Sequence, residues 1–284
     1  MLIDRRAAYL LLAVPLLFIL AFFAVPFAVA IIESLRTADG QWSVHNYLKV
    51  FDSWFYLDVL FFTFRISVWV TLASFAIGYP LAYVMTRVVR QRWLRRLLYI
   101  IVITPLFTSN IVRSFGWMIL LGRRGLVNET MLGAGMIDRP LQLLNSELSI
   151  IIGMTYIMTP FMVLTVAAVL QNIDRSLDSA ARDLGATGFG AFCKVTFPLS
   201  LPGVIAGSLI VFTLSVSAYV TPALLSGGKK TVMSMLIYQQ YTSLFDFQFG
   251  AALAITLLIT TLALIGLSKI TTPRYLSSKR GAMT

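Results

Sequence analysis

The chain contains 284 residues, of which 58% are hydrophobic and 12% are charged, and its mean hydropathy is +0.83. A soluble domain of this length carries about twice that share of charged residues, so the composition excludes a soluble globular protein and indicates a polytopic membrane protein. The formal net charge is +11, and single copies of cysteine (Cys193) and histidine (His45) exclude an intrachain disulfide and a histidine cluster for metal.

Six stretches of the sequence are apolar over more than the ~18 residues that cross the hydrocarbon core of a bilayer. They are predicted near residues 8–32, 59–86, 97–121, 148–170, 201–224 and 249–270. No segment between them is long enough for an independent soluble domain, so residues 1–284 are predicted to form one all-α membrane domain with six transmembrane helices. The first run is too long for the core of a signal peptide, and we expect it to be retained.

The positions of the basic residues predict the orientation in the membrane. With the amino end inside, fourteen basic and four acidic residues lie on the cytoplasmic side, whereas the rest of the chain carries nine basic and eight acidic residues. The segment between spans two and three contains five arginines and no acid. The positive-inside rule therefore places both termini in the cytoplasm, and the charge indicates topology and attraction to anionic lipids rather than nucleic-acid binding.

Small and polar residues recur at helical spacing in the second and fifth spans. In the second span they are Thr63, Ser67, Thr71, Ser74 and Gly78. Such a stripe predicts a helix-packing face, with the lining of a solute pathway as the alternative. In the fifth span Pro202 is expected in the first helical turn, and the G-x-x-x-G pair Gly203 and Gly207 predicts the close approach of another helix.

Candidate pathway residues lie in spans three to five. An arginine in a span costs ~2.5–3.5 kcal/mol at mid-membrane and usually faces a partner or an aqueous cavity, so Arg113 is either a pathway residue or one half of a structural pair. Tyr156, close to Pro160, could bind or stack against a solute, with packing as the alternative. The candidate pathway or gate residues are Ser109, Asn110, Arg113, Trp117, Tyr156, Thr159, Ser217, Tyr219 and Thr221.

The loop between spans four and five has a distinctive spacing. It reads SAARDLG over residues 179–185, and VTFP follows at 195–198. Asp178 precedes Arg182 by four residues, which predicts a helical ion pair, and Gly185 is predicted to end the helix. The spacing resembles the EAA loop of bacterial ABC importer permeases, in which E-A-A is followed by three residues, glycine, nine residues and I-x-L-P. Ser179 stands where that motif has glutamate.

Across nearly its whole length the chain resembles the first permease subunit of spermidine/putrescine-type ABC importers. The resemblance is carried by RSFGW at 113–117 within 104–121, by 154–164, by the loop at 179–198 and by 220–228. It implies the type I importer permease (MetI-like) fold, in which the loop 171–200 forms a cytoplasmic coupling helix. The implied ATPase-coupling residues are Asp178, Ser179, Ala180, Ala181, Arg182, Asp183, Leu184, Gly185, Phe192 and Pro198.

The same resemblance implies a bacterial inner-membrane subunit that is not itself an enzyme. Its implied partners are a second homologous permease, a cytoplasmic ATPase dimer that binds ATP and Mg²⁺, a periplasmic solute-binding protein and membrane lipids. No cofactor is expected on this chain, and its sequence lacks the G-x-x-x-x-G-K-[ST] phosphate-binding loop.

The sequence leaves the solute open. The resemblance implies a polyamine, but Ala218 stands where relatives of this subgroup often carry an acid, and Asp58 is an acid at the outer start of span two. Either the second permease supplies the acids that a polyamine needs, or the solute is an amino acid derivative, opine or aminophosphonate, whose carboxylate or phosphonate would suit Arg113. A secondary transporter would need ionisable groups at mid-depth, and a membrane assembly factor would have no need of the loop spacing. Co-purification of an ATPase separates both alternatives from an importer.

Overall fold

The computed structural model describes residues 5–37 and 39–271, with side chains described over 12–37 and 39–267. The described α-helices are α1 (Arg5–Ile19), α2 (Val25–Ser34), α3 (His45–Asp52), α4 (Trp54–Tyr83), α5 (Arg92–Ile103), α6 (Asn110–Leu121), α7 (Leu126–Gly133), α8 (Glu147–Asn172), α9 (Ser176–Asp183), α10 (Gly188–Ala191), α11 (Phe197–Val216), α12 (Val220–Leu225), α13 (Met233–Gln239) and α14 (Phe247–Thr271). The carboxy-terminal residues 272–284, including three of the basic residues used to predict the orientation, lie outside the described residues.

Five described helical segments are long and apolar enough to cross a membrane. They are Leu12–Ser34, Trp54–Val88, Glu147–Asn172, Gly188–Val216 and Phe247–Leu267. A bent pair, Arg92–Phe107 and Asn110–Gly133, supplies a sixth crossing if the two parts form one span, and the two parts meet at 100°. The predicted all-α polytopic architecture is therefore confirmed, with the third span broken rather than continuous.

The break in the third span follows from local chemistry at Thr108 and Ser109. Pro105 lies in a single 3₁₀ turn, and the N–H of Thr108 donates to the Pro105 carbonyl at 3.2 Å. Ser109 is extended (φ −60°, ψ 137°), and its Oγ accepts from the N–H of Ile111, so it acts as the N-cap of α6. A serine cap starts a new helix in a new direction, and the apolar composition over 97–121 conceals this change.

The fifth span also differs from its predicted bounds of 201–224. The helix is continuous from Gly188 to Val216, so Pro202 lies inside α11 instead of in its first turn. Pro198 lies at the start of α11, directly after the π-helical turn Phe192–Thr196. The chain then leaves the helix after Val216 and resumes a helical path only at α12.

The contacts divide the chain into two compact units. One comprises Met1–Asp58 with Met235–Thr284, and the other comprises Val59–Ser234. In the first unit α2 packs against α14, where Gln248 Nε2 donates to Glu33 Oε2 at 3.3 Å. In the same unit the ring of Tyr56 meets that of Phe249 edge-on, with centroids 5.2 Å apart.

Small residues allow α4, α8 and α11 to approach closely in the second unit. A Cβ placed on Gly78 would lie 2.9 Å from Met162 Cγ, and one on Gly203 would lie 2.9 Å from Val169 Cβ. A Cβ on Gly207 would lie 2.8 Å from Met162 Sδ. Because lipid tails are as apolar as the helices, such close van der Waals contact is a main source of helix association in a membrane. Gly203 and Gly207 therefore have the packing role that their G-x-x-x-G spacing predicts.

The polar stripe of the second span is also a packing face. Thr63, Ser67 and Ser74 are buried, and the Thr63 hydroxyl donates to the Val59 carbonyl at 2.7 Å. The same oxygen accepts from the backbone N–H of Met233 at 2.9 Å. A hydroxyl that bonds to backbone on both sides is unavailable to a passing solute, so packing is the interpretation the structure supports.

We expect Gly203→Ala to destabilise the protein more than Gly207→Ala does. The new methyl group at 203 meets the branched Val169 close to its backbone, whereas at 207 it meets the flexible end of Met162. Overpacking of this kind costs ~1–3 kcal/mol. Thermal unfolding in detergent measures the difference, with Gly266→Ala as the control because no atom lies within 4 Å of a Cβ there. Equal melting temperatures for the two variants would contradict the packing argument.

Candidate functional site

The loop predicted to contact an ATPase forms a helical elbow, defined here as residues 176–196. Its first helix, α9, ends at Gly185, which has φ +91°. The N–H of Gly185 donates to the Arg182 carbonyl at 2.9 Å, and that of Ala186 donates to the Ala181 carbonyl at 3.0 Å. Such a left-handed residue closes a helix and is most easily supplied by glycine. The predicted helix end at Gly185 is confirmed.

The tip of the elbow exposes apolar side chains. Leu184 is 90% exposed and Phe189 is 76% exposed, on either side of the turn. Thr187 caps the short helix α10 by accepting from the N–H of Gly190 at 3.1 Å, which fixes the direction of Phe189. Large apolar side chains held outward on an ordered turn are typical of a surface that a partner protein covers.

Asp178 fastens the elbow to the end of the second span. Its Oδ2 lies 3.7 Å from Arg87 Nη1, and its Oδ1 accepts from Thr196 Oγ1 at 2.5 Å. Arg87 also donates to the Ile173 carbonyl at 2.9 Å, and its side chain is only 6% exposed. The expected pair between Asp178 and Arg182 is absent from the described contacts, because Asp178 turns toward Arg87 and Thr196 instead.

Aromatic rings continue this attachment on the other half of the elbow. Phe192 meets Tyr83 edge-on with centroids 5.2 Å apart, and it meets Tyr79 at 6.0 Å. The Tyr79 hydroxyl is 2.9 Å from Ser200 Oγ in α11. Both halves of the elbow are therefore tied to the carboxy-terminal end of the helix Trp54–Val88, one by charge and the other by ring packing.

Asp174 precedes α9 and accepts a hydrogen bond from the first N–H of this helix. Its Oδ1 accepts from the N–H of Ser176 at 2.9 Å, and this hydrogen bond lowers the pKa of the Asp174 carboxyl. The hydrogen bond between Ser176 and the Asp174 carboxylate therefore stabilises the folded protein above the ordinary aspartate pKa. This stabilisation is lost as the pH falls through the lowered pKa of Asp174. At neutral pH the first N–H of α9 therefore has a carboxylate acceptor.

The structure sorts the ten predicted coupling residues by exposure. Asp178, Ala181 and Phe192 are partly buried, and the remaining seven are exposed: Ser179, Ala180, Arg182, Asp183, Leu184, Gly185 and Pro198. Sequence reasoning missed the contributions of Arg87 and Thr196. Arg87 is one of the five arginines that predict the orientation, and its position at the very end of an apolar span is the signal for its structural role.

A cavity of about 590 Å³ lies within the second unit. Five of the nine predicted pathway residues line it: Asn110, Arg113, Ser217, Tyr219 and Thr221. Sequence reasoning missed a stripe of α8 that forms much of the wall: Met154, Ile157, Met158 and Phe161. These four recur at steps of three and four, so helical periodicity would have grouped them on one face.

The other four predicted pathway residues lie outside the cavity lining. Ser109 is the N-cap of α6. Trp117 and Tyr156 meet edge-on with ring centroids 5.7 Å apart. The Thr159 hydroxyl donates to the Thr155 carbonyl of its own helix at 2.7 Å. Their roles in a pathway stay predictions.

Arg113 lies one turn into α6 and faces the cavity. Its Nη2 donates to Oδ1 of Asn110. Its Nε and Nη1 are buried and have no hydrogen-bond partner among the described residues. The neighbouring hydroxyls are occupied elsewhere, since Ser114 Oγ and Thr221 Oγ1 lie 3.0 Å apart and bond to each other.

Comparisons with known proteins give the family. Residues 74–275 match the family model described as "Binding-protein-dependent transport system inner membrane component". The spermidine/putrescine transport system permease protein PotB of Escherichia coli (strain K12) is 34% identical over 217 residues, covering 76% of this chain and 78% of that protein. PotB of Haemophilus influenzae is 29% identical over 269 residues, covering 93% of both chains.

Solved structures agree on the fold. The match to the crystal structure of a bacterial alginate ABC transporter, in complex with an alginate-pentasaccharide-bound periplasmic protein, has a TM-score of 0.78 and 18% identity over 94% of both chains. An inward-facing structure of the MetNI methionine ABC transporter matches with a TM-score of 0.54 and 21% identity, covering 75% of this chain and 91% of that one. The chain therefore belongs to the family of binding-protein-dependent transport system inner membrane components, and it is a non-catalytic permease subunit of an ABC importer.

Proposed function

We propose that this chain forms one transmembrane half of an importer for a small organic amine. It pairs with a second, homologous permease, rests on a cytoplasmic ATPase dimer and receives its solute from a periplasmic binding protein. ATP and Mg²⁺ bind in the ATPase, and this chain carries no cofactor of its own. Residues 1–284 act as a single permease domain with both termini in the cytoplasm.

The elbow is the observation that carries this proposal. Leu184 and Phe189 are held outward on either side of Gly185, while the rest of the elbow is tied to α4 and α11. An exposed apolar pair on a small, ordered protrusion suits a groove on another protein better than it suits water. We assign that groove to the ATPase, and we assign the ten coupling residues to the contact or its support.

Arg87 and Asp178 then carry the motion of the ATPase into the membrane. A force applied to α9 reaches the end of α4 through their charge pair and through the bond from Arg87 to the Ile173 carbonyl. Nucleotide binding by the ATPase dimer biases the permease between two packed arrangements, which is rigid-body switching. The solute follows the interface between the two permeases.

The solute class follows from the relatives and from the cavity together. The relatives at 29–34% identity are named for spermidine and putrescine, which makes a polyamine the first candidate. An amino acid derivative, opine or aminophosphonate is the second, because Arg113 projects into the cavity. A volume of about 590 Å³ suits solutes of either class.

We expect Gly185→Asp to abolish co-purification of the ATPase without preventing membrane insertion. At φ +91° any side chain is strained, and the new carboxylate adds negative charge at the carboxyl end of α9, where the helix dipole disfavours it. Pull-down of the tagged permease from detergent, with quantification of the bound ATPase, measures the effect.

Gly135→Asp is the matched control for this experiment. Gly135 also has positive φ (+66°) and open space around a Cβ, but it lies in the segment between α7 and α8 rather than in the elbow. Normal co-purification of the Gly185→Asp variant would contradict the docking role. Solute uptake that continues without any bound ATPase would favour a secondary carrier, and absence of both uptake and ATPase from the wild type would favour an assembly factor.

We expect Asp178→Asn to uncouple transport from ATP hydrolysis while the ATPase stays bound. The substitution keeps the shape of the side chain but removes the carboxylate that lies 3.7 Å from the buried Arg87 guanidinium. The elbow tip is unchanged, so docking survives, but its attachment to α4 loosens. Solute transported per ATP hydrolysed in proteoliposomes should fall several-fold, whereas Asp138→Asn, on an exposed outer residue, should leave the ratio intact. An unchanged ratio in Asp178→Asn would remove Arg87 and Asp178 from the coupling path.

A further inference from the structure

We propose that the cavity around Arg113 binds an oxyanion group, a carboxylate or a phosphonate, of the solute that crosses this chain. The inference rests on the proposed function and narrows it, because it makes the solute an amine that also carries a negative charge. Simple polyamines carry no such group, so the inference separates this permease from the solutes for which its relatives are named.

The charges of the cavity point to an anion. Arg113 is the one charged side chain among the described residues that line it, and no carboxylate faces it there. The opposite wall consists of apolar α8 side chains, including Met154, Met158 and Phe161. An arginine in such surroundings is costly unless a partner or an aqueous cavity compensates it. A dication entering this space would meet repulsion without a counter-charge from the lining.

Two nitrogens of the Arg113 guanidinium lack an acceptor among the described residues. Nη2 is held by the side-chain oxygen of Asn110, which orients the guanidinium. Nε and Nη1 are buried and find no acceptor among the described residues. Buried guanidinium N–H groups normally have acceptors, and carboxylate or phosphonate oxygens are the acceptors that match them best.

The amino end of α6 strengthens the same preference. Asn110 begins this helix and lines the cavity, with Arg113 in the first turn. The backbone dipoles of a helix place partial positive charge at its amino end, where anions bind favourably. The helix end and the guanidinium therefore present positive potential to one region of the cavity.

The remainder of the lining fits a short aliphatic chain. Ile157 and the two methionines of α8 offer an apolar surface. The hydroxyl of Ser217 is bonded to backbone carbonyls of its own turn, and that of Thr221 is bonded to Ser114. These two hydroxyls are therefore committed within the protein, and the guanidinium is the charged group of the lining that can fix the orientation of a solute.

A matched pair of probes tests this assignment. Putrescine and 4-aminobutyrate each have a four-carbon chain with an amine at one end, and they differ in whether an amine or a carboxylate ends the other. Radiolabelled probes are equilibrated with the complete permease–ATPase complex in nanodiscs, without the periplasmic protein, so that receptor selectivity does not enter. We expect the wild type to bind 4-aminobutyrate in preference to putrescine.

Two substitutions in the cavity should change this preference in a defined way. Arg113→Gln should weaken 4-aminobutyrate binding by about tenfold to a hundredfold, which is the range for lost hydrogen bonds to a charged group. Ala218→Asp places a carboxylate in the same cavity lining, so it should weaken 4-aminobutyrate binding and strengthen putrescine binding. Arg123→Gln, the same chemical change on an exposed arginine outside the cavity, should alter neither.

Several outcomes would overturn the inference. Putrescine binding in preference to 4-aminobutyrate, absence of binding by either probe, or unchanged 4-aminobutyrate binding in Arg113→Gln would each do so. A lower melting temperature of the complex in Arg113→Gln, without any change in binding, would instead assign Arg113 to a salt bridge with the second permease. If no ATPase co-purifies with the wild type, the proposed function fails; if the complex assembles and hydrolyses ATP, only the anion assignment is at stake.

Discussion

The contact between α8 and α11 is the constraint on which the second unit depends. Gly203 and Gly207 bring the two helices so close that a single added methyl group would collide with Val169 or Met162. Both helices also contribute to the candidate site: α8 supplies a wall of the cavity, and α11 joins the elbow to that cavity. Because water does not drive helices together in lipid, this fit of surfaces has to hold them.

The attachment of the elbow solves a different physical problem, which is how to keep a protruding segment in a fixed orientation. A loop held only by its two ends would bend under load, because few contacts resist its motion. Arg87 supplies a buried charge that bonds both to Asp178 on α9 and to the Ile173 carbonyl at the end of α8. On the other side, the edge-on packing of Phe192 against Tyr83 also holds the elbow in a fixed orientation. The tip is thereby left free for a partner while its base is rigid.

The sequence predicted those features that depend on neighbours along the chain. The helix end at Gly185 and the packing stripe of α4 follow from local spacing, and both are confirmed. Contacts between residues far apart in the sequence could not be predicted in this way: Arg65 pairs with Glu147 at 2.5 Å, and Asp178 pairs with Arg87 instead of Arg182, which is nearer along the chain. A hydropathy profile does not report a change of helix direction inside an apolar run, so it did not predict the break at Ser109.

The two helix breaks and the cavity have one physical explanation. Irregular backbone at membrane depth is stable only where it is buried in protein or lines a water-filled space. The break before α6 and the break after Val216 both adjoin the cavity, to which Asn110 and Ser217 contribute. The helix from Gly188 to Val216 is roughly 40 Å long at 1.5 Å per residue, and it connects the elbow to the second of these breaks. A displacement of the elbow would therefore reach, through a continuous helix, a part of the second unit where the regular helix is already interrupted. That arrangement allows the cavity to change shape without the cost of breaking an intact helix in lipid.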